Sequence, residues 1–485
     1  MPRDNTPGLL DGLDELKTQF TQIAARRIER LLAQLAHKKI NDTDTLFRYH
    51  ELLLFLRAYA HNAAIVRTVE RELRDFANRV SFLEQQGIDL APLQHPEWSG
   101  IAGTSVIDTF GFYIVRGLVE KHPSQVAIYW EWFEDENRLA ATWPRFMPLL
   151  EEDAYIEANV PYREWLAAAR GRRSELAWLI DQFNKLPKPD KERAELYDSQ
   201  QLYVIWTPSF NLSRTGMRVA ARKLFYHRGP LIQRRDIDLR KELTKPSPKL
   251  QKLSTRQGEK ALDMARDAST IRYRELYGFT HGDAKNVYRA ELGRGVEIFI
   301  MGLLPERRLP LRNYLALMIF KNGVPIGYFE GLSLFERMES GFNLYYTFRD
   351  GETAWLYARI LNVMHHFAGV TAFSLDPYQI GFENEEGIES GAFWFYRKLG
   401  FLPTQRDALQ LALKEEEKIR TRKGYRTSPA TLRKLARSPM IFELDEKRIG
   451  DWDNFQIRKI GFKAQQHSLG RLDEKSRREI ITLGS

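Results

Sequence analysis

The spacing of apolar residues changes once along this chain, near residue 296, and that change decides what each part can become. Before it, Leu9, Leu13, Leu16, Phe20 and Ile23 recur at steps of three and four, as do Val66, Val69, Leu73, Phe76, Val80 and Leu83. That period places one apolar stripe along a helix. A further apolar run, Leu52 to Tyr59, follows Asn41-Asp42-Thr43-Asp44, whose side chains suit helix N-caps. The first 90 residues are therefore expected to form an antiparallel helical bundle. Residues 98–183 also read as helical and carry Trp98, Trp130, Trp132, Trp143, Trp165 and Trp178, rings suited to a core or to an apolar pocket. Lys185 to Lys191, with two prolines, reads as a domain boundary. Leu202 to Trp206 reads as a short strand, and residues 258–279 return to helix.

After the change, Val296–Leu304 and Tyr314–Phe320 are strand-like runs. Lys321-Asn322-Gly323 then predicts a tight hairpin turn, because Asn-Gly supplies the positive φ angles such a turn needs. The expected order continues with strands at 325–335 and 341–348, a helix from Thr353 to about Phe367, a strand at 370–375 and a helix at 385–399. Three meandering strands followed by β-α-β-α make a mixed sheet. The fold class is thus α+β, a mixed-sheet C-terminal domain behind a large all-α N-terminal region. The expected divisions are 1–185 (helical), 186–257 (a basic connection), 258–415 (the sheet domain) and 416–485 (a basic tail).

Composition narrows the chemistry. Of 485 residues none is cysteine, so a disulfide framework, a thiolate zinc site and a thiol nucleophile are excluded. The N-terminus lacks the apolar core of a secretory signal. The apolar stretches around Leu52–Ala60 and Ile101–Val119 are broken by Arg57, Asp108 and Arg116, short of the ~18 uncharged residues a span needs. A cytoplasmic protein without membrane contact is expected. The net charge of +9 is concentrated: residues 214–260 hold 14 Lys and Arg against four acids. Such a stretch is either a solvated face or a surface for phosphates, from a nucleotide-bearing cofactor or from RNA. The adjacent pair His365-His366 points to two helix faces, and no metal site is indicated.

One helix narrows the function. Glu389-Ser390-Gly391-Ala392-Phe393-Trp394-Phe395-Tyr396-Arg397-Lys398-Leu399-Gly400-Phe401 resembles the last helix of the GNAT superfamily of N-acyltransferases, Asn-x-x-Ala-x-x-x-Tyr-x-Lys-x-Gly-Phe. The alanine, tyrosine, lysine and Gly-Phe ending match. Glu389 stands where the family has asparagine. Over residues 258–415 the order of elements is what that resemblance implies.

The resemblance implies transfer of an acyl group from acetyl-CoA or another acyl-CoA to an amine-bearing small molecule or peptide. It gives Tyr396 the role of acid toward the leaving thiolate. The pyrophosphate would lie in the strand-to-helix loop, for which Tyr346, Thr347, Phe348, Arg349, Gly351, Glu352, Thr353 and Ala354 are the candidates. That loop departs from the family's Arg/Gln-x-x-Gly-x-Gly/Ala, since Phe348 occupies the Arg/Gln position and Arg349 lies one place on. For the base, Glu330 sits on an otherwise apolar strand, where burial would raise its pKa; Asp376, just after a strand, is the second candidate. Two alternatives stay open on the same fold. One is an aminoacyl-tRNA donor, with tRNA held by residues 214–260, and the other is a non-catalytic binding module.

Overall fold

The computed structural model describes residues 5–140, 142–146, 160–221, 223–309 and 311–453. The chain forms two compact units. The first comprises Met1–Ala220, Tyr226–Arg228 and Leu262–Thr280, and the second Ala221–Phe225, Gly229–Ala261 and His281–Ser485.

In the first unit, α1 (Thr6–Leu16), α2 (Gln22–Ala36), α3 (Thr43–Ala58), α4 (Ala63–Arg74) and α5 (Phe76–Gln85) form the expected helical region. Side-chain caps set three of the starts: Thr21 accepts from the Ala24 amide, Asp42 from Thr45 and Asn62 from Ile65. Each cap stabilises its helix by about 1 kcal/mol. The buried stripe of the last two helices runs Ile65, Val69, Leu73, Phe76, Val80, Leu83, with a break between them at Asp75.

The region is not all helix, which corrects the all-α expectation. Three short strands, β1 (Val106–Asp108), β2 (Val126–Ile128) and β3 (Val204–Trp206), make an antiparallel sheet in the order β1-β3-β2. Three residues are too few to display alternation, so two of these strands were hidden inside helix-like sequence. Lys185–Lys191 does not separate domains; it lies within the first unit and leads into a helix at Asp190–Asp198.

Among the described residues the second unit is built on nine strands: β4 (Leu250–Lys252), β5 (Gly282–Gly293), β6 (Val296–Leu303), β7 (Asn313–Lys321), β8 (Val324–Leu334), β9 (Arg337–Leu344), β10 (Ala372–Leu375), β11 (Leu402–Pro403) and β12 (Met440–Glu443). Their order is β11-β12-β10-β9-β8-β7-β6-β5-β4, antiparallel throughout except for the pair β9/β10. Strand β7 is buried from Tyr314 to Lys321, which explains why it reads as an unbroken apolar run. The β7–β8 turn has Asn322 and Gly323 at φ +47° and +82°, as Asn-Gly predicts.

The sheet carries α6 (Thr353–Ala368) on one face, where the Tyr357 hydroxyl bonds Ser340 at 2.9 Å. The helix expected at 385–399 is two, α7 (Glu385–Glu389) and α8 (Ala392–Arg397), because Gly391 adopts φ +67° between them. The strand expected at 341–348 begins and ends about four residues earlier, and Tyr346–Phe348 is a single 3-10 turn. Residues 416–453 are no tail. They complete one helix (Arg406–Thr421), form another (Pro429–Leu435) and supply β12, which inserts between β10 and β11. Residues 454–485 of that expected tail lie outside the described residues.

Candidate active site

A wedge opens in the sheet where its one parallel pairing stops. Strands β9 and β10 pair at Arg337↔Ala372, Met338↔Phe373 and Glu339↔Ser374, and β9 then runs on to Leu344 without β10 beside it. The chain leaves β10 at Asp376-Pro377, where the Asp376 carboxylate accepts the Tyr378 amide at 3.0 Å and fixes the turn. Ser340 closes the narrow end of the wedge, bonding both Tyr357 and the Ser374 carbonyl. Beyond it, the edge of β9 offers main-chain groups that require partners.

Two cavities flank this edge. One, of about 600 Å³, is lined by Glu330, Glu339, Gly341, Asp376, Gln379 and Glu383 among others. The other, of about 290 Å³, is lined by Asn343 and Leu344 of β9, by Arg349 and Thr353, and by Tyr396 of α8. Gln379 faces both. The structure therefore brings Glu330 and Asp376 to one cavity and sets Tyr396 in the other.

A β-bulge aims Glu330. Register in the β7–β8 hairpin starts at Lys321↔Val324 and Phe320↔Pro325, then slips by one residue to Ile319↔Gly327. The slip sets Glu330 opposite Ala316, not Leu315. Leu315 shares its face with Gly331 and Ser340, the face covered by α6; without the bulge the carboxylate would be turned there. Burial pushes the Glu330 carboxyl up from its ordinary value, and a hydrogen bond donated by the Tyr314 hydroxyl pulls it partly back. Burial likewise pushes the Tyr396 phenol up; its ring packs edge-on against Tyr357 and Phe401, with centroids 5.5 and 5.7 Å away.

Of the eight loop residues, Arg349 and Thr353 face the smaller cavity. The Arg349 guanidinium donates to the Leu344 carbonyl at 3.2 Å, pairs with Glu386 and lies over the Tyr346 ring. The Thr353 hydroxyl donates to the Arg349 carbonyl at 3.0 Å. Tyr346 is exposed, Thr347, Phe348 and Ala354 are buried, and the Gly351 amide closes the loop onto the Phe348 carbonyl. The amides of Thr353, Ala354 and Trp355 open α6 with no acceptor inside the helix, at its positive end.

Glu352 turns elsewhere. Buried, it meets Arg294 at 2.5 Å and Lys321 at 3.6 Å and accepts the Ile232 amide at 3.0 Å. Burial pulls Lys321 down to about 7. Glu352 is thus the anchor of the α6 N-terminus rather than a wall of the cavity.

Sequence reasoning missed Tyr314 and Gln379. Alternation on paired strands could have indicated Tyr314, but only with the bulge known. Gln379 sits in a turn without periodicity. Among the described residues no cluster of three or more His, Asp or Glu is arranged to hold a metal ion, and no helix is long and apolar enough to cross a membrane. The basic stretch is divided between the two units. Within it Arg214 pairs with Glu51, Arg218 with Glu70, Arg240 with Glu446 and Lys245 with Glu242. Arg222 lies outside the described residues. Comparison with protein-family models, curated proteins and solved structures finds no match for this chain.

Proposed function

We propose that the second unit is a GNAT-type N-acyltransferase that moves an acyl group from acyl-CoA to a cationic amine. The observation that carries this reading is the wedge itself. A half-buried carboxylate stands on one side of an unpaired strand edge, and a buried phenol with the open N-terminus of α6 stands on the other. An extended thioester arm suits the edge of β9, which would supply main-chain partners as a neighbouring strand does. Its phosphates suit the Thr353–Trp355 amides and Arg349, with Glu386 displaced.

In this reading Glu330 takes the proton from the attacking amine, and the nitrogen lone pair forms the new bond to the acyl carbon. The carbon–sulfur bond breaks, and Tyr396 gives its proton to the departing thiolate. A raised carboxyl pKa suits the first role, since it brings the base nearer the working pH.

The larger cavity gives the acceptor its sign. Glu330, Glu339, Asp376 and Glu383 line it together with Tyr378 and Phe382, and among the described residues no Lys, Arg or His does. Carboxylates and aromatic faces favour an ammonium, so a diamine, or a peptide with a lysine beside the reacting amine, fits better than an acidic acceptor. A tRNA-borne donor has less support, because the basic stretch is split between the units and several of its charges are already paired.

The test is calorimetric titration with acetyl-CoA, followed by turnover assays with a diamine, a neutral amine and an acidic amino acid. Micromolar binding and turnover of the diamine above the other two are expected. Failure to bind acetyl-CoA would sink the acyl-CoA reading. Binding without turnover of any amine would leave the non-catalytic module.

A further inference from the structure

A third cavity, of about 700 Å³, opens in the second unit at the other end of the sheet from the α6 N-terminus. Its walls come from β5, β6, the start of β7, the end of β8 and the C-terminus of α6. Tyr288, Ile300, Leu315, Leu334 and Phe367 make them apolar, and the Tyr288 and Phe367 rings pack at 5.2 Å. Among the described residues Arg308 and Arg312 are its only charged lining residues. The Arg308 guanidinium is steadied by donating to the Leu303 carbonyl at 3.3 Å. The size falls within the roughly 300–1,000 Å³ usual for small-molecule sites.

Two further features point to a ligand. Gly302 lies inside β6 and faces the cavity. A glycine inside a strand weakens it and often marks the close approach of a ligand. Here a Cβ would meet only ordinary contacts, with Asn286 at 3.5 Å, so packing does not demand glycine. At the cavity mouth, Phe335 holds φ +52° and is 76% exposed, and Leu311 is 45% exposed. The positive φ belongs to the two-residue β8–β9 turn, which leaves the aromatic ring exposed over the cavity with nothing gained from burial.

We propose that this cavity is a binding site for a medium-chain fatty carboxylate. The hydrocarbon lies against Ile300, Leu315 and Phe367, Phe335 and Leu311 fold over it, and the carboxylate takes hydrogen bonds from Arg308 and Arg312. The assignment needs neither Glu330 nor the wedge and stands or falls apart from the transferase reading.

Calorimetric titration of the full chain with dodecanoate and dodecyltrimethylammonium below their micelle concentrations, and with dodecanol below its solubility limit, tests it. Dodecanoate should bind in the micromolar range, dodecanol about tenfold more weakly, and the cation not measurably. Gly302→Leu, which fills the cavity, should weaken dodecanoate at least tenfold. The surface pair Arg308→Gln with Arg312→Gln, which leaves the core intact, should erase the preference for dodecanoate over dodecanol. Equal binding of anion and cation, absence of dodecanoate binding, or affinity unchanged in both variants would each overturn the proposal. Binding that disappears as protein concentration rises, with sedimentation showing association, would make a second copy the occupant and would overturn it as well.

Discussion

Two cavities lie along the same strand and carry opposite charge. Glu330 and Leu332 of β8 face the one lined by four carboxylates; Leu334 of the same strand and Phe335 just past it face the one lined by two arginines. Tyr314 stands between them, lining the basic cavity while its hydroxyl reaches Glu330 in the acidic one. Helix α6 runs from the smaller cavity of the wedge, lined by Thr353, to the basic cavity, lined by Phe367 and Ala368. One sheet thus separates a space lined by carboxylates from a space lined by arginines by a few residues. Charge of either kind is the means, because apolar lining alone would not discriminate.

The difference is broken most severely at Glu330. Glu330→Gln keeps the shape of the acidic cavity and removes the proposed base, so kcat/KM for a diamine should fall by roughly 10²–10⁴, the range for a general base. Dodecanoate affinity should be unchanged. A loss smaller than about tenfold, measured across the pH profile, would move the base to Asp376 or to water. The next largest effect falls on stability. Glu352→Ala leaves Arg294 and Lys321 without their shared carboxylate, in a cluster where Glu352 and Lys321 are buried. Removing one partner of a buried pair costs about 3–5 kcal/mol. Urea denaturation should show that loss, and acetyl-CoA binding should suffer more than dodecanoate binding, since the anchored end of α6 is the wedge end.

The hairpin of β7 and β8 was legible because Asn-Gly has few other uses between two apolar runs. Helix α6 was legible from its period and its start at Thr353. Strand β5, whose pattern is interrupted by half-exposed and charged positions, was not, and neither was β12, four residues in a stretch dominated by charge. Glu330 stood out as a carboxylate among apolar neighbours, and Tyr396 by the likeness of its helix. What the sequence hid was register. The one-residue slip after Pro325 decides which face Glu330 occupies, and no local propensity marks it. Glu352 was misjudged for a related reason: its partners Arg294, Lys321 and the Ile232 amide are distant in sequence and meet only in the folded unit.

A smaller effect sharpens the charge assignment. Glu339→Gln and Glu383→Gln remove carboxylates that line the acidic cavity without touching the base. Each should raise KM for a diamine by about two- to fivefold with kcat held, the scale of a solvent-accessible ion pair. KM for a neutral amine should not move. Equal changes for both amines would mean that these carboxylates shape the cavity and do not read charge.

The smallest effect lies at the partition. Tyr314 donates to Glu330, a bond that favours the ionised carboxylate and opposes the rise caused by burial. Tyr314→Phe removes that opposition, so the Glu330 carboxyl should titrate at still higher pH. The acid limb of kcat/KM should shift upward by less than about one unit, because a single hydrogen bond to a charged group contributes roughly 1.5–3 kcal/mol before solvent takes its share. The plateau above that limb should stay near the wild-type value, since the base remains present and ionised there. A purely structural role for Tyr314 would instead lower the plateau and leave the limb in place. Dodecanoate affinity supplies the second reading. Tyr314 is a wall of the basic cavity but offers it no charge, so loss of its hydroxyl should leave that affinity within twofold, and a larger change would show that the two cavities are coupled through this one side chain.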